Sequence, residues 1–571
     1  MNKKDVIRLL ETISIYMELK GENPFKISAF RKAANALEQD DRSLTAIDDF
    51  TKLDGIGKGT SAVIIEYLES GESKTLLELQ KEVPEGLMPM LKLPGLGGKK
   101  ISKLYKELGI DSMDALKEAC LAHKVQGLPG FAKKTEEKIL EAINEAGTRP
   151  ERLPVAFMLP IADDIDAYLD ACTEIKRFSR AGSLRRMRET IKDLDYIISC
   201  EEPEKVRKAL LAIPKLSDVI ASGDTKVSVQ LNYDVEVNVD FRLVKEEEFA
   251  STLHHFTGSK AHNVKMRQLA KERGEKISEY GIENLETGEI KTVDNEQEFF
   301  AHFGLPFIPP ELREDGTEVD KAAKAEALIK IEDIKGDLHM HSTWTDGAYT
   351  IEEMADACRK KGYKFIAITD HSQYLKVAGG LTAVRLREQR KEIDRLNEKY
   401  DDFTILAGVE MDILPDGSLD YDDELLEEMD FVIASIHSSF SQSREVIMQR
   451  LKKALESHHV DLIAHPTGRL IGKRKGYDVN IDLLIELAKE TDTALELNAN
   501  PNRLDLSSEN IKKAQDAGVK LSINTDAHNI DMLEHMPIGV AAAKKGWIEK
   551  KNVINTWELE ELKRFLNRHH S

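Results

Sequence analysis

The chain has 571 residues, 41% hydrophobic and 32% charged, with 17 prolines and a formal net charge of −21. This composition excludes collagen-like, mucin-like and largely disordered chains, and no stretch approaches the ~20 consecutive apolar residues of a membrane span. At about 100–200 residues per domain, three to five domains are expected.

The cysteines Cys120, Cys172, Cys200 and Cys358 form no CxxC pair. That argues against a disulfide framework or a thiolate metal site and fits a reducing cytosol. The N-terminal segment has apolar residues at helical spacing and no signal-peptide h-region, so a cytoplasmic location is expected. Residues 1–150 carry 23 Lys and Arg against 24 Asp and Glu, whereas the rest holds 58 of the 81 basic and 78 of the 102 acidic residues. The acidic excess therefore lies outside the first 150 residues, and local basic stretches matter more than the total for contact with phosphate.

Residues 1–150 read as short amphipathic helices joined by glycine turns. LDGIGKGTSAVI at 53–64 and LPGLGGKKISKL at 93–104 repeat one pattern, and LPGFAKKTEEKI at 128–139 is a weaker copy with Ala132 in place of the last glycine. Helix–hairpin–helix turns of this kind expose glycine N–H groups at a helix start, where the dipole favours anions. Gly55, Gly57, Gly95 and Gly97 are the candidate DNA-backbone contacts, which read position and not base sequence. The third copy, around Gly130, is expected to be structural.

From about 150 to 317 the pattern turns to alternation, as in KVSVQL and VEVNVDFRLV, which predicts half-buried strands. Lys176, Arg177, Arg180, Arg185, Arg186 and Arg188 form a basic run with no acid among them, and Asp193 and Asp195 then begin a strand. Period-2 geometry places both carboxylates on one strand face and Leu194, Tyr196 and Ile198 on the other, and it turns Asp240 away from Val239 and Phe241. If these strands pair, three carboxylates converge, a set that suits two Mg²⁺ ions. The turn Gly182-Ser183, with Arg186 beside it, is a candidate cradle for phosphates. Residues 318–333, rich in Ala, Lys and Glu, predict a helical linker.

From 334 onward short apolar strands alternate with amphipathic helices, the rhythm of an α/β barrel. His339, His341, Asp346, His371, Glu410, His437, His465, Asp526 and His528 fall at or near the strand ends. In a β/α barrel those ends converge on the face where active sites are built. Mixed imidazole and carboxylate ligation suits Mn or Zn, and clustered metals clamp phosphate oxygens and generate hydroxide near neutral pH. Any one of these histidines reads equally well as a cap; the set does not. Arg469, Lys473, Arg474 and Lys475 follow His465, and Arg503 follows the next strand, as candidate phosphate contacts.

These last residues resemble the polymerase and histidinol phosphatase (PHP) family, through DLHMHS, TDHS, a glutamate strand end, IHSS, AHP and DAH over 334–571. The resemblance implies a seven-stranded barrel with two to three Mn²⁺ or Zn²⁺ ions on the nine positions named, hydrolysing phosphate esters, here as a Mn-dependent 3′→5′ exonuclease. GS-x-RR, then DxD, then a strand Asp resembles the nucleotidyltransferase palm of the family X DNA polymerases, the group of polymerase β; Lys192 stands where many members have glycine. HHFTGSKAHNVKMR at 254–267 is similar to that family's thumb motif. The likeness makes Phe256, Gly258 and Asn263 nucleotide-binding, with His255 in the place of a tyrosine, and Arg267 a contact to the template minor groove. The order hairpin, hairpin, palm, thumb is the family's, and the bacterial and archaeal branch adds a PHP extension.

The whole resemblance implies a multidomain α and α/β protein: a helical hairpin-containing N-terminal domain over 1–85, fingers with a second hairpin over 86–149, palm over 150–244, thumb over 245–317, linker over 318–333 and a PHP (β/α)7-type barrel over 334–571. It implies a monomeric gap-filling repair polymerase that uses Mg²⁺ or Mn²⁺, deoxynucleoside triphosphates and gapped or primer–template DNA, with no membrane partner. One family activity does not carry over. Val63 falls where the deoxyribose-phosphate lyase has its lysine, and a valine cannot form a Schiff base. The alternatives are a phosphatase of small phosphate esters with a degenerate polymerase half, and a non-catalytic DNA-binding scaffold.

Overall fold

The structure is a computed structural model that describes residues 3–40, 44, 47, 49–93, 96–147 and 152–568. The chain divides into two compact units, 1–151 and 152–571.

The first unit is helical: α1 (Lys3–Lys20), α2 (Pro24–Gln39), α3 (Lys58–Ser70), α4 (Lys74–Glu82), α5 (Gly98–Leu108), α6 (Met113–Leu121) and α7 (Lys133–Gly147). Each helix buries an apolar stripe, and α1 serves two cores. Leu10 and Ile13 pack with Leu37 and Ile64, whereas Leu19 packs with Leu87, Ile101 and Leu104. Three times a short 3-10 turn comes a few residues before a helix: Phe50–Lys52 before α3, Pro89–Lys92 before α5 and Val125–Gly127 before α7. Gly55 and Gly130 share a left-handed φ, 100° and 93°. The third copy, expected to be weak, therefore turns its backbone at the same point as the first. Ala132 is tolerated because its counterparts Gly57 and Gly97 have φ of −89° and −91°, which any residue adopts.

The second unit begins with a small antiparallel ribbon of β1 (Leu153–Pro154) and β3 (Thr190–Ile191). Beside it β2 (Ile175–Arg180), β4 (Leu194–Cys200), β5 (Leu216–Ser222), β6 (Lys226–Asn232) and β7 (Glu236–Val244) form a sheet of order β2-β4-β7-β6-β5. β4 and β7 run parallel, and the other pairs run antiparallel. Leu194, Tyr196 and Ile198 are buried as the alternation predicts. The Tyr196 hydroxyl lies 3.0 Å from the Ala162 carbonyl and 2.8 Å from the Asp166 carboxylate, fastening the sheet to helix Val155–Asp170.

A helical layer follows, with a three-stranded sheet of β8 (Glu275–Ser278), β9 (Gly281–Asn284) and β10 (Ile290–Lys291). Its core holds Met266, Ala270, Phe299 and Phe300. The stretch 318–333 is no continuous helix. It breaks into one turn, Thr317–Asp320, and 3-10 segments Ala322–Ala327 and Ile331–Asp333. Val319, Ala322, Ala325 and Leu328 join the thumb core, and that burial outweighs the helix propensity of the alanines.

The last part is a seven-stranded parallel sheet in sequential order: β11 (Gly336–Asp337), β12 (Phe365–Ile368), β13 (Thr404–Asp412), β14 (Phe431–Ser435), β15 (Leu462–Ile463), β16 (Ala494–Asn498) and β17 (Leu521–Asn524). A parallel bridge between Met340 and Ala527 ties its two ends into a nearly closed barrel. The strands are buried on both faces, as in a parallel sheet covered by helices.

Arg313 is completely buried against Glu296, which also accepts from Arg185 of the palm at 2.7 Å. Removing one partner of such a group leaves an uncompensated buried charge, costing about 3–5 kcal/mol. Glu296→Ala is therefore expected to lower the unfolding free energy of the second unit by that amount, read as a lower urea midpoint by tryptophan fluorescence on the full chain.

Candidate active sites

The palm site is built on two parallel neighbours. Asp195 on β4 stands directly opposite Asp240 on β7, and Asp193 immediately precedes β4. Burial and then the charges of Asp240 and Asp193 push the Asp195 carboxyl up to about 7. The three carboxylates are thus within electrostatic reach of one another, a set that fits divalent cations. Asp240 also pairs with Lys226 at 2.7 Å and accepts from Ser228 at 2.6 Å, and Asn238 donates to Asp193 at 3.3 Å. Lys226 had no signal in the sequence, because its approach depends on the β6–β7 register. Gly182 is required where it stands: φ is +60°, and a Cβ would fall 2.0 Å from Asp195 Oδ2. Half-buried Ser183 follows it.

Arg186, the expected phosphate contact beside Gly182-Ser183, is engaged within the protein. It donates to the Thr257 carbonyl at 2.7 Å and lies 3.3 Å from Glu314, which also pairs with Arg188 at 2.9 Å and Lys545 at 2.6 Å. Three cations share one carboxylate here, so Arg186 is paired before any phosphate arrives. The neighbouring thumb residues do come together. Asn263 donates to the His255 carbonyl at 2.7 Å, and Phe256 lies beneath Arg242 at 4.5 Å. A Cβ on Gly258 would meet Asn263 at 2.8 Å. Arg267 is exposed one turn beyond Asn263.

In the barrel all nine expected ligands converge. Glu410, buried on β13, lies 2.9–3.5 Å from imidazole nitrogens of His339, His341, His371, His437 and His465. Asp346 stands 3.3 Å from His528 and 3.6 Å from His371, and Asp526 lies 3.2 Å from His341. His339 Nε2, His371 Nδ1 and Glu410 Oε2 are buried without a hydrogen-bond partner. His371 Nδ1 and Glu410 Oε2 are only 2.9 Å apart, facing each other as ligands do around a common centre. Three groups offer donor atoms that could hold an ion: His341, Asp346, His371 and His528; His339, His341 and Asp526; and His371, Glu410 and His437. The donor set and its orphaned atoms fit two or three divalent cations.

Electrostatics divide these imidazoles. Burial, then His528 and His371, press His341 down to about 3. Burial also opposes charge on His437, but Glu410 and Asp412 outweigh it and hold that ring up at about 10. His465 and Asp526 have positive φ of 29° and 53°, backbone strain of the kind that collects at functional sites.

Sequence reasoning missed two supporting carboxylates. Glu496 on β16 lies 2.8 Å from His339 Nδ1 and accepts from the His465 N–H at 2.7 Å. Asp412 is 3.2 Å from His437 Nδ1. Glu496 lies within the apolar run TALELNAN, and Asp412 lies two residues beyond Glu410 on the same face of β13, so period-2 placement is the available signal. Arg503 stands at the pocket rim, 3.7 Å from Asp526. Arg469 does not reach towards solvent as a DNA contact would; its guanidinium is occupied by Glu189 at 2.7 Å and by the Arg503 carbonyl at 2.9 Å.

Of the hairpin glycines, Gly95 lies outside the described residues. The Gly57 N–H donates to the Thr60 hydroxyl at 3.1 Å, so this amide, expected to face a phosphate, is already engaged by the helix it caps. Gly97 caps α5, with open space where its Cβ would be. Val63 is buried in the first core.

A three-carboxylate palm with a β-type thumb, joined to a barrel whose donor set fits metal ions, defines a polymerase–PHP protein. Family models match as the DNA polymerase beta thumb over 252–314, a helix-hairpin-helix domain over 1–73, a SAM-like helix-hairpin-helix tandem over 87–145 and the PHP domain over 337–500. The tandem includes the third glycine turn. A relative from Bacillus subtilis (strain 168), the DNA polymerase/3'-5' exonuclease PolX, is 66% identical over 568 residues and 100% of both chains. A probable phosphatase of Thermoanaerobacter sp. (strain X514) is 30% identical over 40% of this chain and 93% of its own. Another probable phosphatase, from Shewanella sediminis, is 27% identical over 38% of this chain and 88% of its own. The chain belongs to the PolX family.

Two predictions follow from this geometry. Asp195 titrates higher in the folded than in the unfolded protein, so the metal-free fold loses stability as pH rises from about 4 to about 7. Asp195→Asn removes that loss. In chelator it is expected to melt a few degrees (~2–4 °C) above wild type at pH 8 and level with it at pH 4, by calorimetry. Glu496→Gln, which loosens His339, is expected to weaken metal binding to the barrel about 10- to 100-fold, read by titration calorimetry with Mn²⁺.

Proposed function

We propose that the chain is a DNA-directed DNA polymerase that fills short gaps during repair and also removes nucleotides from 3′ ends. The observation that carries this reading is the presence, in one compact unit, of the opposed Asp195 and Asp240 beside Gly182 and of the nine-ligand pocket around Glu410. Full-length similarity to a DNA polymerase/3'-5' exonuclease supports it.

In the palm, Asp193, Asp195 and Asp240 are the residues to hold Mg²⁺ or Mn²⁺, two ions that would lower the pKa of a 3′-hydroxyl and neutralise a triphosphate. Ser183 and Arg186 bind the triphosphate once Glu314 yields, and Asn263, Phe256 and Gly258 form the nucleotide's wall, with His255 beside them. Arg267 approaches the template strand. The glycine turns at Gly55, Gly57, Gly95 and Gly97 hold the DNA backbone, favouring gaps with a 5′-phosphate.

In the barrel, the nine ligands hold two or three Mn²⁺ or Zn²⁺ ions, with Mn²⁺ favoured by the mixed donor set. Glu410, central among five imidazoles, offers its carboxylate to the same ions. Arg503, at the rim, meets the phosphodiester. No helix among the described residues is long and apolar enough to cross a membrane; a monomer in the cytoplasm is the state we assign.

A second reading draws on the probable phosphatases that match 40% and 38% of the chain. It gives the barrel small phosphate esters as substrates.

The test uses full-length variants on a labelled one-nucleotide gap and a labelled single strand in Mn²⁺. Asp193→Ala with Asp195→Ala is expected to lose extension by at least about 10³-fold and keep shortening. His339→Ala with His341→Ala is expected to do the reverse. Extension by the palm variant sinks the polymerase assignment. Unchanged shortening by the barrel variant moves the nuclease elsewhere and leaves the phosphatase reading.

A further inference from the structure

Arg469 projects from the loop after His465, and its guanidinium meets four acceptors. They are the two Glu189 oxygens at 2.7 and 3.2 Å, the Arg503 carbonyl at 2.9 Å and the Leu504 carbonyl. Glu189 belongs to the palm. It immediately precedes β3, and its own carbonyl accepts from the Val155 N–H at 2.9 Å, so the β1–β3 ribbon holds its backbone. The same ribbon touches the barrel loop a second time, where a Cβ on Gly472 would lie 2.6 Å from Pro154 Cγ.

From Arg469 the contacts continue to the metal pocket. The Ile471 N–H donates to the Asn502 carbonyl at 2.7 Å, and the Thr467 N–H donates to the Asp505 carboxylate at 3.1 Å. The turn clasped between them carries Arg503, whose Nε is 3.7 Å from the ligand Asp526 and whose side chain is 22% exposed. A cation therefore stands at the mouth of the pocket, on a turn whose two carbonyls are gripped by an arginine that a palm carboxylate holds in place.

We propose that Glu189 is a positioning residue for the nuclease centre: by fixing Arg469 it sets the Arg503 turn so that the Arg503 guanidinium meets the phosphodiester entering the metal pocket. The inference rests on the reading of the barrel as a 3′-end nuclease. Glu189 is half-exposed, so its pair with Arg469 adds little to stability. Its value is directional. A carboxylate accepting two parallel N–H bonds fixes the plane of a guanidinium, and a cation held in place before binding loses less freedom when the phosphodiester arrives. A polymerase body thereby completes the substrate grip of a nuclease built on a different sheet.

The experiment compares full-length wild type, Glu189→Gln and Glu189→Asp. On a labelled single strand in Mn²⁺, Glu189→Gln is expected to raise KM roughly tenfold, equivalent to the loss of one charge-assisted contact, with kcat within about twofold. In chelator, with no metal bound, its affinity for the same oligonucleotide by fluorescence anisotropy falls by a similar factor. Glu189→Asp, which keeps the charge, recovers most of both. Primer extension in a gap and the melting temperature stay at wild-type values. Wild-type KM and affinity in Glu189→Gln would overturn the proposal, as would a fall in kcat alone or an equal fall in extension. No shortening by wild type overturns the nuclease reading itself, and this inference with it.

Discussion

A single carboxylate organises the barrel. Glu410 is buried at the centre of five imidazoles, none farther than 3.5 Å from it. So many basic rings in one dry pocket cannot all be protonated, because like charges at this range repel and burial opposes each charge. The opposite displacements of His341 and His437 express that conflict. Divalent cations resolve it, since neutral imidazoles and ionised carboxylates are what such ions bind. Holding this arrangement open requires a stiff frame, and seven parallel strands buried on both faces supply one. The ligands fall at their C-terminal ends, and Glu496 and Asp412 hold two of the rings from behind.

The palm solves a related problem with fewer groups. Parallel pairing of β4 with β7 sets Asp195 against Asp240, and the pair is tolerated because Lys226 and Ser228 engage the second carboxylate. Gly182 lets the turn before α-helical residues 182–185 pass so close to Asp195 that no side chain fits between them. The thumb and barrel both reach this region. Glu314 gathers Arg186 and Arg188 of the palm with Lys545 of the barrel, while Glu189 and Arg469 join the palm to the nuclease loops. The palm and the barrel thus share charged contacts although each has its own cluster of potential metal-binding side chains.

Much of this was legible in the order of residues. Period-2 alternation placed Tyr196 and Asp195 on opposite faces of one strand, because successive side chains of a strand point to opposite sides. Histidines and acids at six of the seven strand ends declared the barrel site, since parallel strands of sequential order must deliver their ends to one rim. The stretch 318–333 misled for a physical reason. Its alanines favour helix, but Val319 and Leu328 find a core to enter, and burial broke the helix into short turns. The third hairpin looked weak because Ala132 replaces a glycine, yet the matching position needs no positive φ, and the essential left-handed residue, Gly130, is present.

What the sequence by itself determined is the chemistry: which residue types could bind metal or phosphate, and on which strand faces or ends they sit. Those properties follow from local geometry, which the periods of helix and strand encode. Pairing across hundreds of residues was decided only by the tertiary structure. Arg469 and Arg186 both read as cations free to meet DNA or nucleotide, but the fold sets Glu189 and Glu314 against them. A charge near a site becomes a ligand contact or a structural strut according to which opposite charge the packed chain brings within reach, and sequence spacing carries no measure of that distance.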